Sequence, residues 1–113
     1  MGKSSFTKRA IQIIQSIPEG TVSTYGTIAK MAGSPRAARQ ISYLLHSSSR
    51  KYNLPWHRVV NRMGKISLPK GKGYEEQKNR LNCEGVLFNK NDQIDLSKFG
   101  WNVENENPKK SFH

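Results

Sequence analysis

Residues 24–46 read TYGTIAKMAGSPRAARQISYLLH, and this stretch decides the fold. Thr24 stands as a capping hydroxyl before a short helix that carries Ile28, Ala29 and Met31 on one face. Gly33-Ser34-Pro35 then breaks the chain. Ser34 caps a following helix with Pro35 at its first position, where a missing N–H does no harm. That helix is expected to run to about His46, with Ala38, Ile41, Leu44 and Leu45 inward. Two helices, a tight glycine-containing turn and a basic second helix give the pattern of a helix-turn-helix. An ordinary helical hairpin gives the same pattern.

Upstream, Phe6, Ala10, Ile13, Ile14 and Ile17 recur at helical spacing and predict a first helix over about residues 5–17. Pro18-Glu19-Gly20 stops it, and Thr21-Val22-Ser23 is short and extended. Downstream, Ser47-Ser48-Ser49-Arg50 reads as a polar loop and Val59-Val60 as a short strand or buried turn. Met63-Gly64 is a turn, and Lys65-Ile66-Ser67-Leu68 reads as a small strand of a wing-like element. A basic loop, residues 69–73, precedes a fourth helix from Tyr74 to Glu84 with Gly85 as its C-cap. Val86-Leu87-Phe88 and Ile94-Asp95-Leu96 flank a polar turn as a late hairpin or extended pair. The expectation is a mainly α chain. One winged-helix-like domain over residues 1–101 holds a helix-turn-helix and a few short strands, and residues 102–113 form a polar tail.

The chain has 113 residues, which fits one compact domain. Its net charge of +11 is segregated: residues 1–72 hold 13 Lys and Arg against the single acid Glu19, whereas residues 73–113 hold six against seven. Such one-sided charge points to an anionic partner, nucleic acid first, with a merely soluble basic surface as the alternative. No apolar run is long enough to span a bilayer and the N-terminus lacks a signal-peptide pattern, so a cytoplasmic location is expected. A monomer is expected as well. The lone Cys83 cannot make an internal disulfide, and it reads as a buried structural residue. His46, His57 and His113 are too scattered for a metal site, so neither metal nor cofactor is expected.

The segment Pro55-Trp56-His57-Arg58-Val59-Val60 resembles the active-site signature of the O6-alkylguanine-DNA alkyltransferases, Pro-Cys-His-Arg-Val, with Trp56 where those enzymes have cysteine. Further matching blocks are Gly20 to Gly26, Ile28-Ala29, Ala32 to Arg39, Gln77 to Leu81 and Glu84-Gly85. With tryptophan at the cysteine position, the chain is similar to the alkyltransferase-like proteins. Alkyl transfer to protein needs a thiolate, and indole offers no such nucleophile. The resemblance therefore implies a non-enzyme that binds duplex DNA carrying O6-alkylguanine, flips the nucleotide and flags it for nucleotide excision repair proteins.

The resemblance also assigns roles. Arg39 would fill the gap left by the flipped base and Tyr25 would push on the 3′ phosphate; a plain phosphate contact and simple core packing are the respective alternatives. Tyr25, Pro55, Trp56, Val59, Leu68, Pro69 and Lys70 would line the lesion pocket, with the Val59 N–H on the guanine edge. Trp56 taken alone reads better as a plain core tryptophan, and the surrounding Pro-Trp-His-Arg-Val context reverses that reading. Thr24, Ser34, Pro35, Arg36, Ala37, Ala38, Arg39 and Gln40 would face DNA from a helix in the minor groove, the small Ala37 and Ala38 allowing close approach. His57 and Glu84 match a proton relay with nothing left to activate, so they become a buried structural link, and Arg58 anchors the loop internally. Departures from the family pattern are Ser42 and Tyr43, where small residues are usual, and Ser48 near the place of a hinge asparagine. The rival reading is a general winged-helix DNA-binding protein without a lesion pocket.

Overall fold

The computed structural model describes residues 4–102. Helix α1 (Ser5–Gln15) is capped by the Ser4 hydroxyl, which accepts from the Thr7 N–H. It ends before Ile17, which packs in the core without being helical. Strand β1 (Ser23–Thr24) runs straight into helix α2 (Tyr25–Met31), where the Thr24 hydroxyl accepts from the Thr27 N–H as expected. Helix α3 (Ala38–Tyr52) is followed by a single 3-10 turn at Trp56–Arg58, strand β2 (Val59–Val60), helix α4 (Tyr74–Cys83) and the short helix α5 (Leu96–Phe99).

The turn between α2 and α3 corrects the expected cap. Gly33 lies at a φ of 98°, its N–H and that of Ser34 donating to Lys30 O and Ala29 O, so the two residues close α2 in a Schellman pattern. Ser34 then accepts the Ala37 N–H at 2.9 Å, and Pro35-Arg36 form the middle of a turn instead of a first helical turn. Ala37 is the N-cap of α3 and makes no side-chain cap; it is 5% exposed and held by packing. At the other end α3 continues six residues past His46, through the expected polar loop. The serines tolerate helix because Ser49 and Ser47 hydroxyls donate back to Leu45 O and Leu44 O. Asn53, left-handed at φ 52°, ends the helix, with the Leu54 N–H donating to Ser49 O at 2.8 Å.

Two apolar clusters form the interior. The first joins α1, α2 and α3 through Ile14, Ile28, Ala29 and Ile41. The second gathers Val22, Val60, Ile66, Leu81, Val86 and Ile94 around α4. Between them β1 and β2 pair in parallel, Ser23 opposite Val59 and Thr24 opposite Val60. This two-residue ladder sets the start of α2 beside the Trp56–Arg58 turn. The late pair is reduced to the single bridge Phe88–Ile94, because Asp95 caps helix α5 and Leu96 opens it, and Gly100 bridges back to Val22.

Lys65–Leu68 is not a strand. The Asn61 side chain accepts the N–H groups of Met63 and Lys65, closing a tight turn, and Ile66 drops into the second cluster. Cys83, expected to be buried, is exposed on α4. Among the described residues no helix is long and apolar enough to cross a membrane. Most of the expected polar tail, residues 103–113, lies outside the described residues.

Gly64 holds the Asn61 turn at φ 79°, and an added Cβ there would strike the Ile94 carbonyl. Gly64→Ala should cost about 2–3 kcal/mol through left-handed strain and the displaced carbonyl, read as a lower urea midpoint at unchanged slope.

Candidate functional site

The Trp56–Arg58 turn is held from three sides. Glu84, the cap of α4, accepts Arg58 Nη2 at 2.7 Å and Nε at 3.0 Å, His57 Nε2 at 2.7 Å and the Gly20 N–H at 3.1 Å. Arg58 Nη1 also reaches Ile17 O at 2.9 Å. The guanidinium thus points inward and ties the turn to α4 and to the end of the α1 segment. Beneath the turn, the buried Gln77 donates to His57 O and Val59 O at 3.1 and 2.9 Å. Burial works to raise the Glu84 pKa, but the Arg58, His57 and Gly20 donors outweigh it and bring the carboxyl down to about 2.

Above this support lies a cleft of about 1040 Å³. Its walls come from Tyr25 at the start of α2, Arg39, Tyr43 and Arg50 on α3, Trp56 and Val59, and Leu68 with Glu76 and Arg80. Trp56 is half-buried and belongs to neither apolar cluster, so it is a wall residue and not a core tryptophan. Tyr25 packs on the first cluster and also lines the cleft; burial pushes its phenol pKa up, against a hydrogen bond with Ser67. Pro55, Pro69 and Lys70, expected in this lining, lie outside it, and Lys70 stands instead over the Tyr74 ring. The Val59 N–H, expected on a guanine edge, donates to Trp56 O within the turn.

The residues expected to meet DNA divide in the same way. Pro35, Arg36, Arg39 and Gln40 are exposed, whereas Thr24, Ser34 and Ala38 are half-buried. Ala37 faces the core, so only Ala38 of that pair remains near the surface. Two contributors had no assigned role in the sequence. Arg80 lies 5.4 Å over the Trp56 ring while its Nε and Nη2 donate to Glu76 at 3.0 and 2.7 Å. Their one-turn spacing on a helix was the only signal available. Gln77 belongs to a block that carries the resemblance, but nothing in the sequence points to its role, since its partners are main-chain carbonyls far along the chain. Cys83 does not line the cleft.

The sequence matches the family described as 6-O-methylguanine DNA methyltransferase, DNA binding domain, over residues 5–86. It is similar to the DNA base-flipping protein of Escherichia coli (strain K12), with 50% identity over 100 residues, 88% of this chain and 77% of that protein. Alkyltransferase-like protein 1 of Schizosaccharomyces pombe is 39% identical over 87 residues, 76% of this chain and 81% of the relative. Among solved structures, S. pombe Atl1 in complex with damaged DNA containing O6-carboxymethylguanine matches with a TM-score of 0.77. Its sequence identity is 34%, over 90% of this chain and 99% of that one.

The depressed Glu84 carboxyl fixes an acid dependence. A folded pKa of about 2 against an ordinary 4.5 means its stabilisation is complete above about pH 4.5 and drains as pH falls toward 2. Glu84→Gln should lose about 3 kcal/mol at pH 7, leaving Arg58 and His57 poorly paired, and should flatten the pH slope below 4.5. Urea melts of both proteins between pH 3 and 7 measure this; parallel pH slopes would contradict it.

Proposed function

Because the chain belongs to the family of the 6-O-methylguanine DNA methyltransferase DNA-binding domain, in its alkyltransferase-like branch, we propose that it binds duplex DNA carrying O6-alkylguanine and holds the damaged nucleotide extrahelically without covalent chemistry. The observation that carries this reading is that Tyr25, Arg39 and Trp56 line one cleft large enough for a base.

In this reading the exposed face of α3 enters the minor groove and exposed basic side chains meet phosphates, without base-specific contacts. Arg39 occupies the vacated place in the stack and Tyr25 bears on the neighbouring phosphate. The flipped purine lies against Trp56, with Val59 and Leu68 along the alkyl side. Extrusion costs on the order of a few kcal/mol. Stacking on an aromatic wall returns about 1–3 kcal/mol, so the wall and the Arg39 plug together bring the exchange near balance.

No transfer follows because the position facing the base is an indole, and the chain's one thiol, Cys83, lies outside the cleft. The released product is the protein–DNA complex itself. Its persistence as a signal for nucleotide excision repair proteins, by a monomer acting inside the cell, completes the proposal.

Binding to matched duplexes with guanine or O6-methylguanine, at one stated salt concentration, tests it. The lesion duplex should bind about tenfold more tightly, because a damaged pair costs less to open than an intact one. Arg39→Ala should remove about tenfold of lesion affinity, while Lys90→Ala, on a distant exposed loop, should change it less than twofold. Equal affinity for the two duplexes would favour a general winged-helix DNA-binding protein. A protein mass raised by one methyl after incubation would instead reveal an alkyl acceptor.

A further inference from the structure

Tyr43 stands on α3 one turn beyond Arg39 and is 72% exposed, more than Met63 or Leu87. Residues four apart on a helix share one face, with about 5–6 Å between Cβ atoms. Both side chains line the cleft that Trp56 walls. Tyr43 joins neither apolar cluster, so its bulk does not alter how α3 packs on the domain. The surface around it is cationic and polar: α3 contains no acidic residue, and Arg39, Ser42, His46, Arg50 and Lys51 are exposed with it. A phenol ring kept in water among arginines, on the surface a polyanion would approach, has the composition of a base-stacking platform.

Spacing sets what it can reach. One helical turn rises 5.4 Å, whereas stacked bases repeat every 3.4 Å along a strand. With α3 lying along the groove, a duplex that admits Arg39 at one step meets Tyr43 at the neighbouring step, not in the same gap. We infer that Tyr43 is a second duplex-inserting side chain, whose ring stacks against the base step beside the one Arg39 occupies and partly opens it. This rests on the DNA-binding reading above and adds a contact to it. A wedge at that step bends the duplex and lowers the work of rotating the adjacent nucleotide.

The test uses the full chain with Tyr43→Ala and Tyr43→Phe on the O6-methylguanine duplex. Tyr43→Ala should bind about tenfold more weakly, and Tyr43→Phe within twofold of wild type, since only the ring is required. A pyrrolocytosine at the neighbouring step, brighter when unstacked, should brighten with wild type and Tyr43→Phe but not with Tyr43→Ala. Thermal melts should be unchanged, because the side chain is exposed. Binding of Tyr43→Ala equal to or tighter than wild type overturns the inference and leaves the lesion reading standing. So does a Tyr43→Phe defect as large as that of Tyr43→Ala. A wild type that binds neither lesion nor undamaged duplex overturns both.

Discussion

The Glu84 carboxylate organises this molecule. Four donor groups from two separate segments, Gly20 on one and the neighbours His57 and Arg58 on the other, meet on its two oxygens. Each segment alone is a short turn with little apolar area to bury. Joined at one ionised group, they fix the β1–β2 ladder beneath Tyr25 and set the angle at which Trp56 leaves the backbone. An ionised carboxylate only accepts, so His57 must present its Nε2 proton to it, which fixes the tautomer. The His57–Glu84 pair, at 2.7 Å, ties the turn to the end of α4 as a rigid strut.

The cleft inherits its shape from that strut. Trp56 is kept out of the core by Pro55 on one side and the inward pull of His57 and Arg58 on the other. Its ring meets His57 edge-on at 84°, and Arg80 covers it at 5.4 Å. A flat, partly exposed wall results, with cations around it and no sulfur facing the space in front. The binding without transfer proposed above would rest on the chemistry of this one position, with the remaining residues deciding what is held.

How much of this could be read from the sequence depended on the range of the interaction. The first two helices, the Thr24 cap and the Phe88–Ile94 pair follow from periodicity and turn chemistry, which are local. The course of α3 was less legible. Ser34-Pro35 carries the signature of a helix start, yet the Schellman closure of α2 commits Ser34 to a turn. Three consecutive serines resemble a loop until the Ser47 and Ser49 hydroxyls are seen on helix carbonyls. The strand expected over Lys65–Leu68 does not form, and Ile66 is drawn inward by a cluster whose other members are distant in sequence. At the cleft, the motif located Trp56, but Gln77 and Arg80 act through contacts that only the tertiary arrangement creates. The resemblance places Pro69 and Lys70 in the lining, but beyond Leu68 the loop carries them away from it.

The exposure of Cys83 has a practical side. It is the chain's one thiol, it is open to reagents on α4, and it stands apart from the cleft lining. A maleimide dye can thus be attached to the unaltered protein at a single defined place. Docking on a labelled oligonucleotide can then be followed by energy transfer in real time, with every groove-facing and cleft-lining side chain left native.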